Sequence, residues 1–170
     1  MFEDWHDFFL ITGGAAGALV GLLFVAATLT VRVEREKALR AAGIFMTPNI
    51  YHLSTALVLS AVATAPEPTG RFVAAIAGVL ALAGVAASLP AMMTLRRGKV
   101  AAHWSDFWWY GVGPAVAHGA LGAAALAIAV WGPPAAGLFA TAVMGLILLA
   151  IRNAWDLVTW MSATAKPADS

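Results

Sequence analysis

The chain reads as an all-α protein, a polytopic transmembrane helix bundle of five spans with its N-terminus outside and its C-terminus inside. Three observations predict this class. Hydrophobic residues make up 61% of the 170 residues and charged residues only 11%, against roughly 45–50% and about 25% in soluble domains. Apolar runs long enough to cross a bilayer recur between short polar or proline-rich breaks; crossing a hydrocarbon core of roughly 30 Å takes about 20 apolar residues. Lysine and arginine gather in alternate connections, the pattern of cytoplasmic loops.

The first span covers about residues 8–31 and stops at "RVEREKALR". The second, about 48–65, opens at "MTPN" and closes at "APEPTG". Thr47 is placed there to cap the helix, Pro48 fits its first turn, and the two closing prolines cannot continue it. The third, about 72–95, ends at "RRGK", and the fourth, about 106–131, opens at "WSDFWWY" with Ser105 as its cap. "GPP" at 132–134 turns the chain into the fifth, about 134–157, which runs on toward Met161. Residues 1–170 thus form a single integral membrane domain.

Charge placement sets the orientation. Arg32, Arg35, Lys37 and Arg40 lie between the first and second spans, and Arg96, Arg97 and Lys99 between the third and fourth. Both segments are expected on the cytoplasmic side, together with the tail that carries Lys166. The opposite side receives Glu3, Asp4 and Asp7, a loop with Glu67 and Arg71, and the uncharged "WGPP". The start of the chain lacks the basic leader and small-residue cleavage site of a secretory signal, so the first helix is expected to be retained. Trp5 and Trp131 fall at outer ends; Tyr51, Trp104, Trp108, Trp109, Tyr110, Trp155 and Trp160 fall near inner ends. Interfacial anchoring explains such belts, with an aromatic-lined lipid pocket as the alternative.

Ten basic and nine acidic residues nearly cancel, which argues against a nucleic-acid partner. The absence of cysteine excludes disulfides, thiolate metal sites and cysteine nucleophiles. No carboxylate lies in the middle of a span, and no HExxH, GxSxG or phosphate-binding glycine loop occurs. No catalytic residue, cofactor or metal site is therefore expected.

Gly13, Gly17 and Gly21 recur every four residues in the first span, and Gly137, Thr141 and Gly145 repeat the device in the fifth. Small residues let helix backbones approach where lipid removes the hydrophobic drive to associate. Contacts within the chain are expected ahead of a seam between copies. Gly17→Leu should then damage the monomer itself.

Polar residues at membrane depth are costly and point to function. His118, about twelve residues or ~18 Å into the fourth span, is the central one. It can hydrogen-bond across helices, ligate a metal or relay a proton, although a neutral histidine satisfied by a neighbour is the commoner state. Asn49 and His52 occupy the first turns of the second span, where they could border a small polar cavity, although so near the inner interface ordinary solvation is the commoner state. Counted from the same side, His52 lies about five residues in, so the two histidines should differ in depth by roughly 10 Å, a poor fit to one shared haem. Arg152, Asn153 and Asp156 sit late in the fifth span, with the arginine and aspartate four apart and able to neutralise each other.

The opening "WHDFFLITGGAAGALVGLLFVAATL" and the closing "RNAWDLVTW" resemble the two ends of a family of small bacterial multi-spanning proteins, some of them described as modulators of the ATP-dependent membrane protease FtsH. The resemblance implies a bacterial inner membrane location and transfers no catalytic residues.

Three functions fit. The first is a non-enzymatic protein acting by helix packing, as accessory or regulatory subunit of another membrane protein or as a homo-oligomer. The second is a small oligomeric ion or proton channel or transporter with a path past His118, Thr28, Ser88 and Thr141. The third is a binder of lipid or another hydrophobic ligand. The lipid bilayer is a partner in all three.

Overall fold

A computed structural model describes residues 2–29, 46–97 and 104–164. Arg32, Arg35, Lys37, Arg40, Lys99 and Lys166, on which the orientation depends, lie outside the described residues. Among those described, the chain is all-α and contains no strand.

A short 3-10 turn, Glu3–Trp5, leads into α1 (His6–Leu29), followed by α2 (Thr47–Thr64) and α3 (Gly70–Arg96). A turn at Trp104–Asp106 and a π-helical stretch, Phe107–Val112, run directly into α4 (Gly113–Trp131). A second 3-10 turn, Pro133–Ala135, opens α5 (Ala136–Thr164). The turn between α4 and α5 needs its glycine: Gly132 has φ 69° while its N–H bonds the Ile128 carbonyl at 3.0 Å. Thr69 caps α3 by accepting from the Phe72 N–H at 3.3 Å. At α2 the expected cap differs: Met46 is the N-cap, and Thr47 and Pro48 are the first helical residues. Ser105 likewise sits within its turn instead of preceding it.

Four runs, Glu3–Ala26, Gly70–Arg96, Trp104–Trp131 and Pro133–Thr159, are long and apolar enough to cross a membrane. Their outward faces are apolar, with Ile11 70%, Leu82 74% and Leu126 66% exposed. Soluble monomers do not present large apolar side chains so continuously, so this is the surface of a membrane protein.

The helix α2 is not among the four, and its burial pattern explains why. It packs against α1, α3 and α5, and its buried positions include Asn49, His52, Thr55 and Ser60 beside Leu53, Ala56, Leu59 and Ala63. These polar side chains lower its hydropathy but are hidden from the surface. The helix thus turns its polar side chains inward while Leu57 and Val58 stay exposed on its other side.

Small residues hold the rest together, as packing in lipid requires. Ala77 and Ala81 of α3, Ala124 and Ala125 of α4, Ala16 of α1 and Ala56 of α2 are all buried, and a Cβ at Gly122 of α4 would stand 3.5 Å from the Ala81 Cβ. Between α1 and α2, the Thr12 and Ser60 hydroxyls bond at 3.1 Å, and a Cβ at Gly13 would come within 2.9 Å of Ser60 Cβ. At that end of the bundle Phe2, Phe9 and Phe139 stack with centroids 5.6 to 5.8 Å apart. Trp5 covers Gly137 there.

Candidate functional site

The polar side of α2 faces α4 at two histidines. His52 is 2% and His118 0% exposed, and their ring centroids lie 5.0 Å apart at an interplanar angle of 43°. Tyr51 flanks His118 at 5.4 Å, held there by its hydroxyl, which donates to the Leu80 carbonyl at 2.9 Å.

One contact determines the His118 tautomer. Its Nδ1 lies 2.9 Å from the Pro114 carbonyl; a carbonyl only accepts, so Nδ1 carries the proton and Nε2 keeps its lone pair. That Nε2 and both ring nitrogens of His52 are buried without a hydrogen-bond partner. Buried polar atoms are nearly always paired, and three orphans in one contact call for an explanation.

The backbone makes room for this pair. A Cβ at Gly84 would overlap Cγ, Cδ2 and Nε2 of the His118 ring, so only glycine lets the imidazole lie against α3. One turn on, the Ser88 hydroxyl donates to the Gly84 carbonyl at 2.7 Å, which keeps its own polar group satisfied.

The expected difference in depth between the histidines does not hold. It assumed that both helices start in one plane. In fact α2, at 18 residues, is only about 27 Å long at 1.5 Å per residue, shorter than its neighbours. Its first residues stand level with Tyr110 and Pro114 and share a cavity with them. His52 thereby rises to meet His118.

That cavity, about 200 Å³, opens beside the pair between α2, α3 and α4. Its polar lining comes from Thr47, Tyr51, His52, Ser88, Thr94 and Tyr110, and Pro48, Pro90 and Pro114 complete the wall. Pro90, inside α3, offers no N–H to the carbonyl of Ala86 one turn earlier. The volume falls below the roughly 300–1,000 Å³ of pockets for organic ligands. It suits an ion or a few waters and is too small for a haem.

Arg152, Asn153 and Asp156 form a separate cluster against the π-helical stretch. The Asn153 amide donates to the Trp109 carbonyl at 3.1 Å, and its oxygen accepts from Arg152 at 3.0 Å. The Tyr110 hydroxyl donates to the Asn153 carbonyl at 2.9 Å, with an Asp156 carboxylate oxygen as second acceptor at 3.1 Å. The Arg152 guanidinium lies 4.3 Å over the Trp109 ring and 3.8 Å from Asp156. π-Helical turns misalign the i→i−4 pattern, and Asn153 bonds a carbonyl from within this one. The cluster is an internally satisfied lock between α4 and α5.

The other expected residues are dispersed. Asn49 is buried one turn before His52. Ser88 lines the cavity, but Thr28 and Thr141 are exposed and bond carbonyls of their own helices. A Cβ at Gly17 would make only an ordinary 3.8 Å contact with Leu57, and one at Gly21 or Gly145 would meet nothing within 4 Å. A second cavity of about 230 Å³, walled by residues such as Leu19, Leu53, Ala150 and Trp155, is apolar. Gly84, Pro114 and Tyr110 were not foreseen as site residues. The spacing of Gly84 and Ser88 is itself a small-xxx-small pair and could have pointed to the α3 contact. Among the described residues, no group of three or more His, Cys, Asp or Glu side chains is placed to hold a metal ion. No family model, curated protein or solved structure matches the chain.

Proposed function

We propose that this is a non-enzymatic, multi-spanning membrane protein that takes up and passes a small cation at the His52–His118 contact. The observation that carries the proposal is the set of three unpaired, fully buried ring nitrogens contributed by two helices. Ionisable groups inside a membrane bundle mark ion paths and proton relays, and α2 supplies further buried polar groups at Thr55 and Ser60. In this reading α2 is the fifth crossing, its polar side chains turned into the bundle and Leu57 and Val58 turned outward. The N-terminus is outside and the C-terminus inside, so the cavity at Thr47 and Thr94 faces the cytoplasm. The resemblance of the chain's two ends to small bacterial membrane proteins supports placement in the inner membrane.

A second reading, assembly with another copy or another membrane protein, draws on one observation. Gly14 and Gly21 on α1, Gly78 on α3, Gly119 on α4 and Gly145 on α5 all have open space where a Cβ would sit. Another helix could approach such faces closely.

Flux into proteoliposomes tests the first reading, with a trapped pH dye and a trapped metal-sensing dye as readouts. The wild-type chain should conduct one of the two, and His118→Gln and His52→Gln should each lower the rate at least tenfold. Absence of flux of either kind in the wild type would end the proposal.

A further inference from the structure

The chemistry of the histidine pair narrows the occupant further. Metal-binding histidines characteristically give their outer N–H to a carbonyl or carboxylate, which directs the inner nitrogen at the ion. His118 has this arrangement, with Nδ1 on the Pro114 carbonyl at 2.9 Å and Nε2 buried and unpaired. His52 presents a second imidazole with both nitrogens unpaired. With metal–nitrogen bonds of roughly 2.0–2.1 Å, an ion shared by two imidazoles places their centroids about 5 Å apart when strongly bent and about 6 Å when linear. The observed separation is 5.0 Å, at the bent end, so an ion held in line between the two nitrogens, the arrangement that two-coordinate d10 ions prefer, requires the rings to part by about 1 Å.

Ligand number and charge choose the ion. Zinc sites in proteins are almost always four-coordinate, with at least three protein ligands; among the described residues no such group exists. Both donors here are neutral, so the full charge of the ion is carried into the bundle. The cost of burying an ion rises with the square of its charge, roughly fourfold from a monovalent to a divalent cation. Imidazole is a good donor for copper, and monovalent d10 ions are content with two nitrogen ligands.

We infer that His52, on the wall of the adjoining cavity, and His118, set against Gly84 behind it, form a two-nitrogen site for a monovalent d10 cation. Copper(I) is the biological member of that class and silver(I) its redox-silent counterpart. The inference rests on the histidine pair being the protein's working site.

The full chain in lipid nanodiscs, loaded with silver nitrate, passed over a desalting column and assayed for silver, provides the test. About one silver per chain should be retained, excess zinc should not displace it, and His52→Gln and His118→Gln should each weaken retention at least about 100-fold. X-ray absorption at the silver edge on the wild-type protein, which depends on no variant, should show a shell of two nitrogens. No retained silver, displacement by zinc, a shell dominated by oxygen, or retention at the wild-type level in either variant would each overturn the assignment. Proton flux that persists without silver binding would remove the metal while leaving the functional reading in place; silver binding without flux would do the reverse.

Discussion

The imidazole of His118 rests on the backbone of Gly84, with its Cγ, Cδ2 and Nε2 where a Cβ of residue 84 would have to be. Gly84→Ala should therefore displace the ring, at about 1–3 kcal/mol, as overpacking of a filled interior does. In a His118→Ala background the same change should cost little. A double-mutant cycle on thermal unfolding in detergent should give a coupling of about 0.5–3 kcal/mol. Additive effects would show that the two positions do not touch.

Glycines of α1 should fall into two kinds. Gly13 faces Ser60 so closely that even a Cβ lies at 2.9 Å, so Gly13→Leu should unfold the α1–α2 contact and lower the yield of folded monomer. Gly21→Leu and Gly145→Leu enter open space and should change monomer stability by no more than about 0.5 kcal/mol. Size-exclusion chromatography with light scattering then has a clear reading. Loss of oligomers in Gly21→Leu with an intact fold would identify α1 as a subunit seam, and no change in mass would leave that face to lipid.

The lock between α4 and α5 should be worth more than the surface ion pair within it. Arg152 and Asp156 are partly exposed and 3.8 Å apart, and exposed pairs contribute about 0–1 kcal/mol. Asn153 is fully buried and bonds the Trp109 carbonyl. Asn153→Leu strands that carbonyl and should cost about 1–3 kcal/mol. Tyr110→Phe should cost less, because it removes a donor but leaves both acceptors with other routes to satisfaction. Thermal melts of the three variants should rank Asn153→Leu below Tyr110→Phe below Asp156→Asn; an inverted order would place the strength of the lock in the ion pair.

The helices were legible because their ends carry chemistry. Pro66 and Pro68 close α2, the Gly132–Pro134 turn separates α4 from α5, and the runs between are apolar. Which way each residue faces was less legible. Gly13 and Gly17 recur with the same spacing as Gly21, but only Gly13 makes a close contact, because a four-residue repeat drifts around a 3.6-residue helix. The π-helical stretch at Phe107–Val112 shifts the phase of everything before it, so no helical periodicity could place Tyr110 inward against Asn153. The meeting of His52 and His118 was hidden because α2 starts level with Tyr110 and Pro114, well past Trp104 where the run into α4 begins, a tertiary offset that no count from helix ends contains. Gly84 shows its importance only once the ring that lies on it is known.

The decisive measurement is the change in melting temperature of the nanodisc-embedded protein on adding silver(I). A ligand that binds only the folded state stabilises it by about 2.7 kcal/mol at a hundred times its Kd. If His52 and His118 act as one site, the wild-type melting temperature should rise by several degrees once silver exceeds one equivalent and then climb with the logarithm of free silver. The rise should vanish in the His52→Gln/His118→Gln double variant and shrink in Gly84→Ala. A wild-type protein that silver does not stabilise, or an equal rise in the double variant, would contradict a working cation site at the histidine pair.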